Sequence, residues 1–283
     1  MLHQFLDHAR DALSDAAIAV AVPLPFFVAL AFAVKGRRLF QDVHRALPES
    51  RLNLLIHFTD ALLVAPLLLV MSVAMHQAFQ AYGLVLVPTS FWERLHPIAV
   101  GLVAVFLGDF IGYWRHRFEH TPLMWPAHAV HHSDEEMTWL SIFRFHPINR
   151  LTTTAIDFAF ILAMGLPPYA VLVNSLVRHY YGAFIHADLP WTYGPLGRIF
   201  VSPAMHRWHH AMDVKAYNTN YATVFSLFDR AFGTFRVPGP CSTPLGVPEG
   251  MGEGIVGQMA HPFRPSSYRY FLRSIGRLRH RRA

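Results

Sequence analysis

One cysteine, Cys241, stands in 283 residues. A single thiol excludes an intrachain disulfide, the paired-cysteine spacings of structural zinc sites and a cysteine-held iron–sulfur cluster. Charge is also scarce. Asp, Glu, Lys and Arg make up 15% of the chain against 53% hydrophobic residues, and mean hydropathy is positive at +0.28. A soluble domain carries roughly 25% charged residues, so this composition reads as a polytopic membrane protein. The net charge of +6 does not point to nucleic acid. Much of the excess lies in Arg269, Arg273, Arg277, Arg279, Arg281 and Arg282, and the rest flanks apolar runs, as cytoplasmic loops do. No Gly-rich phosphate turn is expected before a helix, so no dinucleotide site is expected in this chain, and no H-E-x-x-H is present. The first residues carry Asp7, Asp11 and Asp15 and lack the basic start and small-residue cleavage site of a signal peptide.

What the chain has is long apolar runs. Residues 16–34 form the first, with Pro23 and Pro25 expected to kink it. Lys35, Arg37, Arg38, Arg45 and Arg51 follow and place that loop in the cytoplasm. Residues 60–79 and 97–114 form the second and third runs. Residues 151–165 and 169–185 read as a helical hairpin turning at Pro167-Pro168. The expected fold is all-α: a polytopic membrane helical bundle of about four to five apolar passes with a cytoplasmic helical cap. Five passes put the N-terminus outside and the histidine clusters at the cytoplasmic face. Three regions are expected: an N-terminal transmembrane region at 1–95, a catalytic domain at 96–236, and an irregular Gly/Pro-rich segment with a basic cytoplasmic tail at 237–283.

Histidine is the abundant polar residue. Eleven of 19 lie between His116 and His210. His116 and His120 sit in H-R-F-E-H; His128, His131 and His132 in H-A-V-H-H; His206, His209 and His210 in H-R-W-H-H. Spacings of three and four bring side chains to one helix face, so each cluster can aim its rings to one side. Neutral imidazole suits iron, zinc, copper and nickel. Eight or nine such ligands exceed the needs of one ion, and the count suggests two. A lone histidine on an apolar face is usually a satisfied polar side chain, and His57, His76 and His96 are read that way.

These motifs resemble the membrane-bound fatty acid hydroxylase and sterol desaturase superfamily, whose pattern is H-x-x-x-H, then H-x-x-H-H shortly after, then H-x-x-H-H much later. The run D-F-I-G-Y-W-R-H-R-F-E-H ending at His120 is similar to the family's entry to its first box. N-T-N-Y-A-T-V-F-S-L-F-D-R-A-F-G-T-F, starting at Asn218, is similar to its C-terminal signature. G-V-P-E-G from Gly246 and H-P-F-R from His261 are similar to bacterial members. The resemblance covers roughly residues 97–265. It implies metal ligation by His116, His120, His128, His131, His132, His206, His209 and His210, and by His186, which matches a lone family histidine. His146 resembles part of an H-P-hydrophobic-Glu element in which Asn149 replaces the acid. His146, His179, Asp109 and Asn220 are candidates for the metal shell or its surroundings. Glu119, Asp229 and Asn218 are further candidates, with Asn220 ranked ahead of Asn218 and Glu119 read first as a partner of Arg115.

The resemblance implies two non-haem iron ions and an O2-dependent oxidoreductase that hydroxylates or desaturates an unactivated C–H bond of a lipid, such as a fatty acyl chain or sterol. The metal carries the oxidation and the protein positions the substrate. Substrate is expected from the bilayer, with Trp114, Phe118, Trp125, Trp139, Phe143, Phe145 and Trp208 either lining its path or forming an interfacial belt. Electrons are expected from a separate reductase or small carrier protein. The expected location is a bacterial inner membrane. A histidine-rich metal transporter or metal store is the alternative from another class. It expects ligands near the bilayer midplane, whereas these clusters fall at the ends of apolar runs.

Overall fold

The computed structural model describes residues 2–268 and builds them from helices. Two helices, α1 (Leu2–Ala21) and α2 (Leu24–Lys35), break at Pro23, where the ring removes a backbone donor. Next, α3 (Arg38–Thr59) runs through a π-turn at Asp60–Val64 into α4 (Ala65–Ala81). Pro66, the second residue of α4, has no N–H to donate back toward the π-turn, and the widened turn lies just ahead of it. A short α5 (Thr89–Trp92) leads to α6 (Pro97–Glu119), whose first turn is capped by the His96 ring accepting from Ile98 N.

Three helical stretches among the described residues are long and apolar enough to cross a membrane: Leu6–Lys35, Arg38–Ala81 and Pro97–Glu119. Only 11% and 6% of the most apolar windows of the first two are buried, against 44% of the third. The first two therefore turn apolar side chains outward, and α6 packs inside. The hairpin expected at 151–185 is helical, but neither arm reaches that length and hydropathy. Its first arm is broken into α8 (Pro147–Thr153), a π-turn at Thr154–Phe158 and α9 (Ala159–Ala163). Its second arm, α10 (Pro168–His186), carries Asn174, Arg178 and His179.

Packing of α6 on α10 positions the site. Gly108 and Gly112 allow it: a Cβ at Gly108 would lie 2.0 Å from Asn174 Oδ1, and one at Gly112 2.0 Å from Arg178 Nη2. A buried cluster of Tyr113, Ile185, Val201, Met205, Tyr221, Ala222 and Phe228 joins α6 and α10 to the C-terminal half. That half contributes α11 (Pro203–His209), α12 (Leu227–Ala231) and α13 (Gly254–Ala260), and the short α7 (Trp125–His132) follows α6. Sheet structure among the described residues is limited to two isolated bridges, Phe200 with Phe225 and Ala211 with Leu245.

Two expectations are corrected here. The segment after residue 237 is largely irregular, yet it holds α13. And a Gly-rich turn does open a helix: Gly252, Gly254 and Gly257 form G-E-G-I-V-G, and α13 starts at Gly254. No strand precedes it, so it is not the strand–turn–helix of a dinucleotide site. Its glycines serve a tight turn. Gly252 and Gly254 have φ of +81° and +54°, and a Cβ on Gly257 would lie 2.4 Å from the Gly252 backbone. The basic tail expected from Arg269 onward lies outside the described residues.

Candidate metal centre

Each histidine cluster ends a helix. His116 lies in the last turn of α6, and His120 is its C-terminal cap. Pro126 sits in the first turn of α7, which presents His128, His131 and His132 within eight residues. Ser202 caps α11 by accepting from Met205 N, and that helix carries His206 and His209 and ends on His210. His186 is the last residue of α10.

The nine rings converge in two groups. His116, His120, His128, His132 and His209 form one; His131, His186, His206 and His210 form the other. Within each group one ring nitrogen per residue lies within 4.8 Å of all the others. Nearest neighbours are closer. His116 Nε2 is 3.0 Å from both His128 Nε2 and His209 Nε2. In the second group, His186 Nε2 is 3.3 Å from His131 Nε2 and 2.9 Å from His206 Nε2, and His206 Nε2 is 3.2 Å from His210 Nε2.

Hydrogen bonds on the far side of the rings decide what those contacts are. The Nδ1–H groups of His116 and His209 donate to the carbonyls of Tyr221 (2.7 Å) and Thr219 (2.6 Å). Those of His131 and His186 donate to Arg144 O (3.3 Å) and Gly182 O (2.6 Å). A carbonyl only accepts, so it fixes the proton on Nδ1 and leaves Nε2 as a lone pair. His116 and His209 therefore aim two lone pairs at one another, as do His131 and His186. That arrangement is repulsive unless a cation lies between. Nitrogens bound about 2.1 Å from one ion at a right angle lie about 3.0 Å apart, which matches the observed separations. His120 Nε2 and His132 Nε2 are buried without any partner, as atoms awaiting an ion would be. The donor set fits a metal that accepts imidazole.

Burial sets the charge state. It holds His128, His131, His132, His206 and His210 well below the usual imidazole pKa, aided by mutual repulsion among the rings. It brings His209 down to about 4. The rings are neutral at pH 7, the form that binds metal.

A strap at residues 218–225 supports the five-histidine group. Besides the Thr219 and Tyr221 carbonyls, Asn218 hydrogen-bonds the His120 ring. Asn218 and Asn220 adopt left-handed backbone, with φ of 59° and 62°; asparagine tolerates that region better than most residues. Two buried carboxylates hold the strap in place. Asp229 accepts from the N–H groups of Tyr221 (2.7 Å) and Ala222 (2.9 Å) and from Thr234 Oγ1 (2.7 Å). Asp109 accepts from Thr223, Val224 and Phe225 N–H at 3.1, 3.0 and 2.7 Å.

The structure thus gathers all nine histidines named from the sequence. His146 and His179 lie outside both groups. His146 caps α8 by accepting from Ile148 N and donates through Nε2 to Met259 O, so both its nitrogens are engaged. His179 packs near Phe143. Asp109 touches the strap rather than a ring. Asn220 bridges Met205 O, Arg236 O and Arg236 N, whereas Asn218, ranked behind it, reaches the His120 ring. Among the candidate aromatics, Trp125 packs on His120 and His132 at 5.2 Å, and Phe145 stacks on His131 at 4.4 Å. Trp139 stacks instead on Phe27. The carbonyls of Thr219, Tyr221, Arg144 and Gly182 were not foreseeable, since a backbone acceptor leaves no mark in residue type.

Residues 101–234 match the fatty acid hydroxylase family model. The chain is 33% identical over 176 residues to ornithine lipid hydroxylase OlsE of Rhizobium tropici, covering 61% of this chain and 53% of the relative. It is 34% identical over 135 residues to the alkylglycerol monooxygenase of Homo sapiens, covering 47% of this chain and 30% of the relative. It is 28% identical over 131 residues to a Delta(7)-sterol 5(6)-desaturase of Gibberella zeae, covering 46% and 36%. The matched region is thus about half or less of each relative's length. No solved structure matches the chain. All nine converging histidines fall inside the residues that match the family model.

Proposed function

We propose that the protein is a membrane-bound oxidoreductase that uses O2 to hydroxylate a C–H bond of a lipid, with two non-haem iron ions held by the nine histidines. One observation carries the reading most directly: the Nε2 lone pairs of His116 and His209 face each other at 3.0 Å with both Nδ1 protons committed to carbonyls. Bound iron would supply the redox chemistry that no side chain has. His116, His120, His128, His132 and His209 would hold one ion, and His131, His186, His206 and His210 the other. The strap and the Arg144 and Gly182 carbonyls keep the rings oriented before any ion arrives. Trp125 and Phe145 cover ring faces and keep water from them.

Hydroxylation consumes one O2, two electrons and two protons, giving the alcohol and one water. One cysteine cannot hold an iron–sulfur cluster and the Gly252–Gly257 turn follows no strand among the described residues, so we assign the electrons to a separate reductase or small carrier protein. The outward apolar faces of α1–α4 suit a substrate delivered from the bilayer. The names of the relatives support a lipid: two are lipid oxygenases, one is a desaturase. Passes by the three apolar spans, with the centre on the cytoplasmic side of a bacterial inner membrane, fit the positive loop after α2. A metal transporter is disfavoured because the ligands sit at helix ends and share one buried locus.

Mass spectrometry of lipids from cells with and without the protein, grown under heavy O2, tests the reaction. A lipid gaining one labelled oxygen supports hydroxylation. A lipid losing two hydrogens assigns desaturation instead, and an unchanged lipid profile contradicts both.

A further inference from the structure

One wholly buried acid, Glu119, lies beside the histidines. Glu119, next to His120, accepts from Thr152 Oγ1 through Oε1 and from Arg115 Nη1 through Oε2, both at 2.7 Å. Its Oε2 also lies 3.5 Å from His128 Nδ1. Behind it runs a chain of charge: Arg115 to Asp157 (2.8 Å), Asp157 to Arg178 (3.1 Å), and Arg178 to within 3.9 Å of Asp109. Three carboxylates and two guanidiniums beside an apolar span are costly to keep and tend to be retained for function.

We propose that Glu119 is the positioning residue for His128, fixing its proton on Nδ1 and strengthening Nε2 as a donor to the metal of the five-histidine group. The proposal rests on the reading that the histidines hold metal. His128 Nε2 faces His116 Nε2, so Nδ1 must carry the proton and needs an acceptor. His116, His131, His186 and His209 give theirs to neutral carbonyls. His128 has only the Asn149 amide, at 3.2 Å, and Glu119. Asn149 turns its Nδ2 to the ring and leaves Oδ1 buried without a partner. Amide ends are assigned from such networks, and a half-turn would present Oδ1 to Nδ1–H. Among the described residues, Glu119 is the only carboxylate with an oxygen within 4.0 Å of a ring nitrogen of the nine. Thr152 and Arg115 hold both its oxygens, so it cannot swing away. A charged acceptor raises the basicity of a ligating imidazole more than an amide does, and losing such a partner typically costs 10–100-fold in metal affinity.

The test is cobalt titration of the metal-stripped full chain in detergent, read by visible absorption, for wild type, Glu119→Gln, Asn149→Asp and the double variant. Wild type should take two cobalt ions. Glu119→Gln should weaken one of them by about tenfold or more, leaving the other unchanged. Asn149→Asp in that background should restore it by returning a charge to the same Nδ1, which repair of a merely structural defect would not do. Asn149→Asp alone should tighten the same ion, and this single variant decides the matter if Glu119→Gln fails to fold. Equal affinities in wild type and Glu119→Gln, a loss that Asn149→Asp leaves unrepaired, or no tightening by Asn149→Asp alone would overturn the proposal while the metal reading stands. A wild-type chain that binds no cobalt overturns both.

Discussion

His116 and His209 stand 93 positions apart in the chain, yet their Nε2 atoms meet at 3.0 Å and their Nδ1 protons go to the same strap. The strap is therefore part of the site although it contributes no ligand. It carries the orientation of both rings.

Loss of either carboxylate that holds the strap should be felt at the metal. Asp229→Ala removes three short hydrogen bonds to a buried charged group and should destabilise the protein by about 3 kcal/mol. Metal affinity should fall 10–100-fold, and Asp229→Asn should do less damage. Thermal unfolding and iron content of the purified variants measure both. Wild-type iron content in Asp229→Ala would remove the strap from the account.

The two histidine groups should fail separately. His209→Ala strikes the five-membered group and His206→Ala the four-membered one. Each variant should retain at most one iron per chain and lose activity by at least about 100-fold. Plasma emission analysis of protein purified from iron-fed cells gives the count. Two irons retained in either variant would break the assignment of ligands to groups.

Close packing of α6 on α10 should tolerate no side chain at its tightest point. A Cβ on Gly112 would lie 2.0 Å from Arg178 Nη2, whereas one on Gly101 would meet Val173 at an ordinary 3.4 Å. Gly112→Ala should cost about 1–3 kcal/mol, because Arg178 must leave Asp157, and Gly101→Ala should be near neutral. Detergent unfolding curves compare the two. Equal stabilities would show that the helices do not approach this closely.

Acid should destabilise the metal-free protein through the same buried rings. In the unfolded chain these histidines titrate near 6.5; in the fold His209 lies at about 4 and its neighbours well below 6.5. Between those values the unfolded state binds more protons, so stability falls as pH drops from about 6.5 toward 4 and is level above that window. Each histidine contributes up to about 1.4 kcal/mol per pH unit. Unfolding of the apoprotein from pH 8 to 5 measures the slope, and a flat profile would contradict burial of neutral rings.

Much of this was legible because spacing and composition speak for helices and ligands. His128, His131 and His132 share a helix face by arithmetic, and the apolar runs announce α2, α4 and α6. Passes were harder to read than helices. The arm at 151–165 reads as one helix, but its π-turn buries Asp157 for Arg115 and Arg178, a tertiary demand that hydropathy does not register. Sequence order cannot separate Asn218 from Asn220, because their own left-handed backbone decides which side chain faces the rings. Glu119 was read first as the partner of Arg115. That contact exists, at 2.7 Å, but only the fold brings α7 close enough for His128 to face the same carboxylate.

Iron stoichiometry joined to X-ray absorption of the intact, iron-loaded protein tests the central claim most directly. Two irons per chain, each with an all-nitrogen first sphere from imidazole at about 2.1 Å and lost together when His116 is replaced by Ala and His206 by Ala, is the expected result. A single iron, a haem spectrum, or an undisturbed pair of irons in that double variant would contradict it.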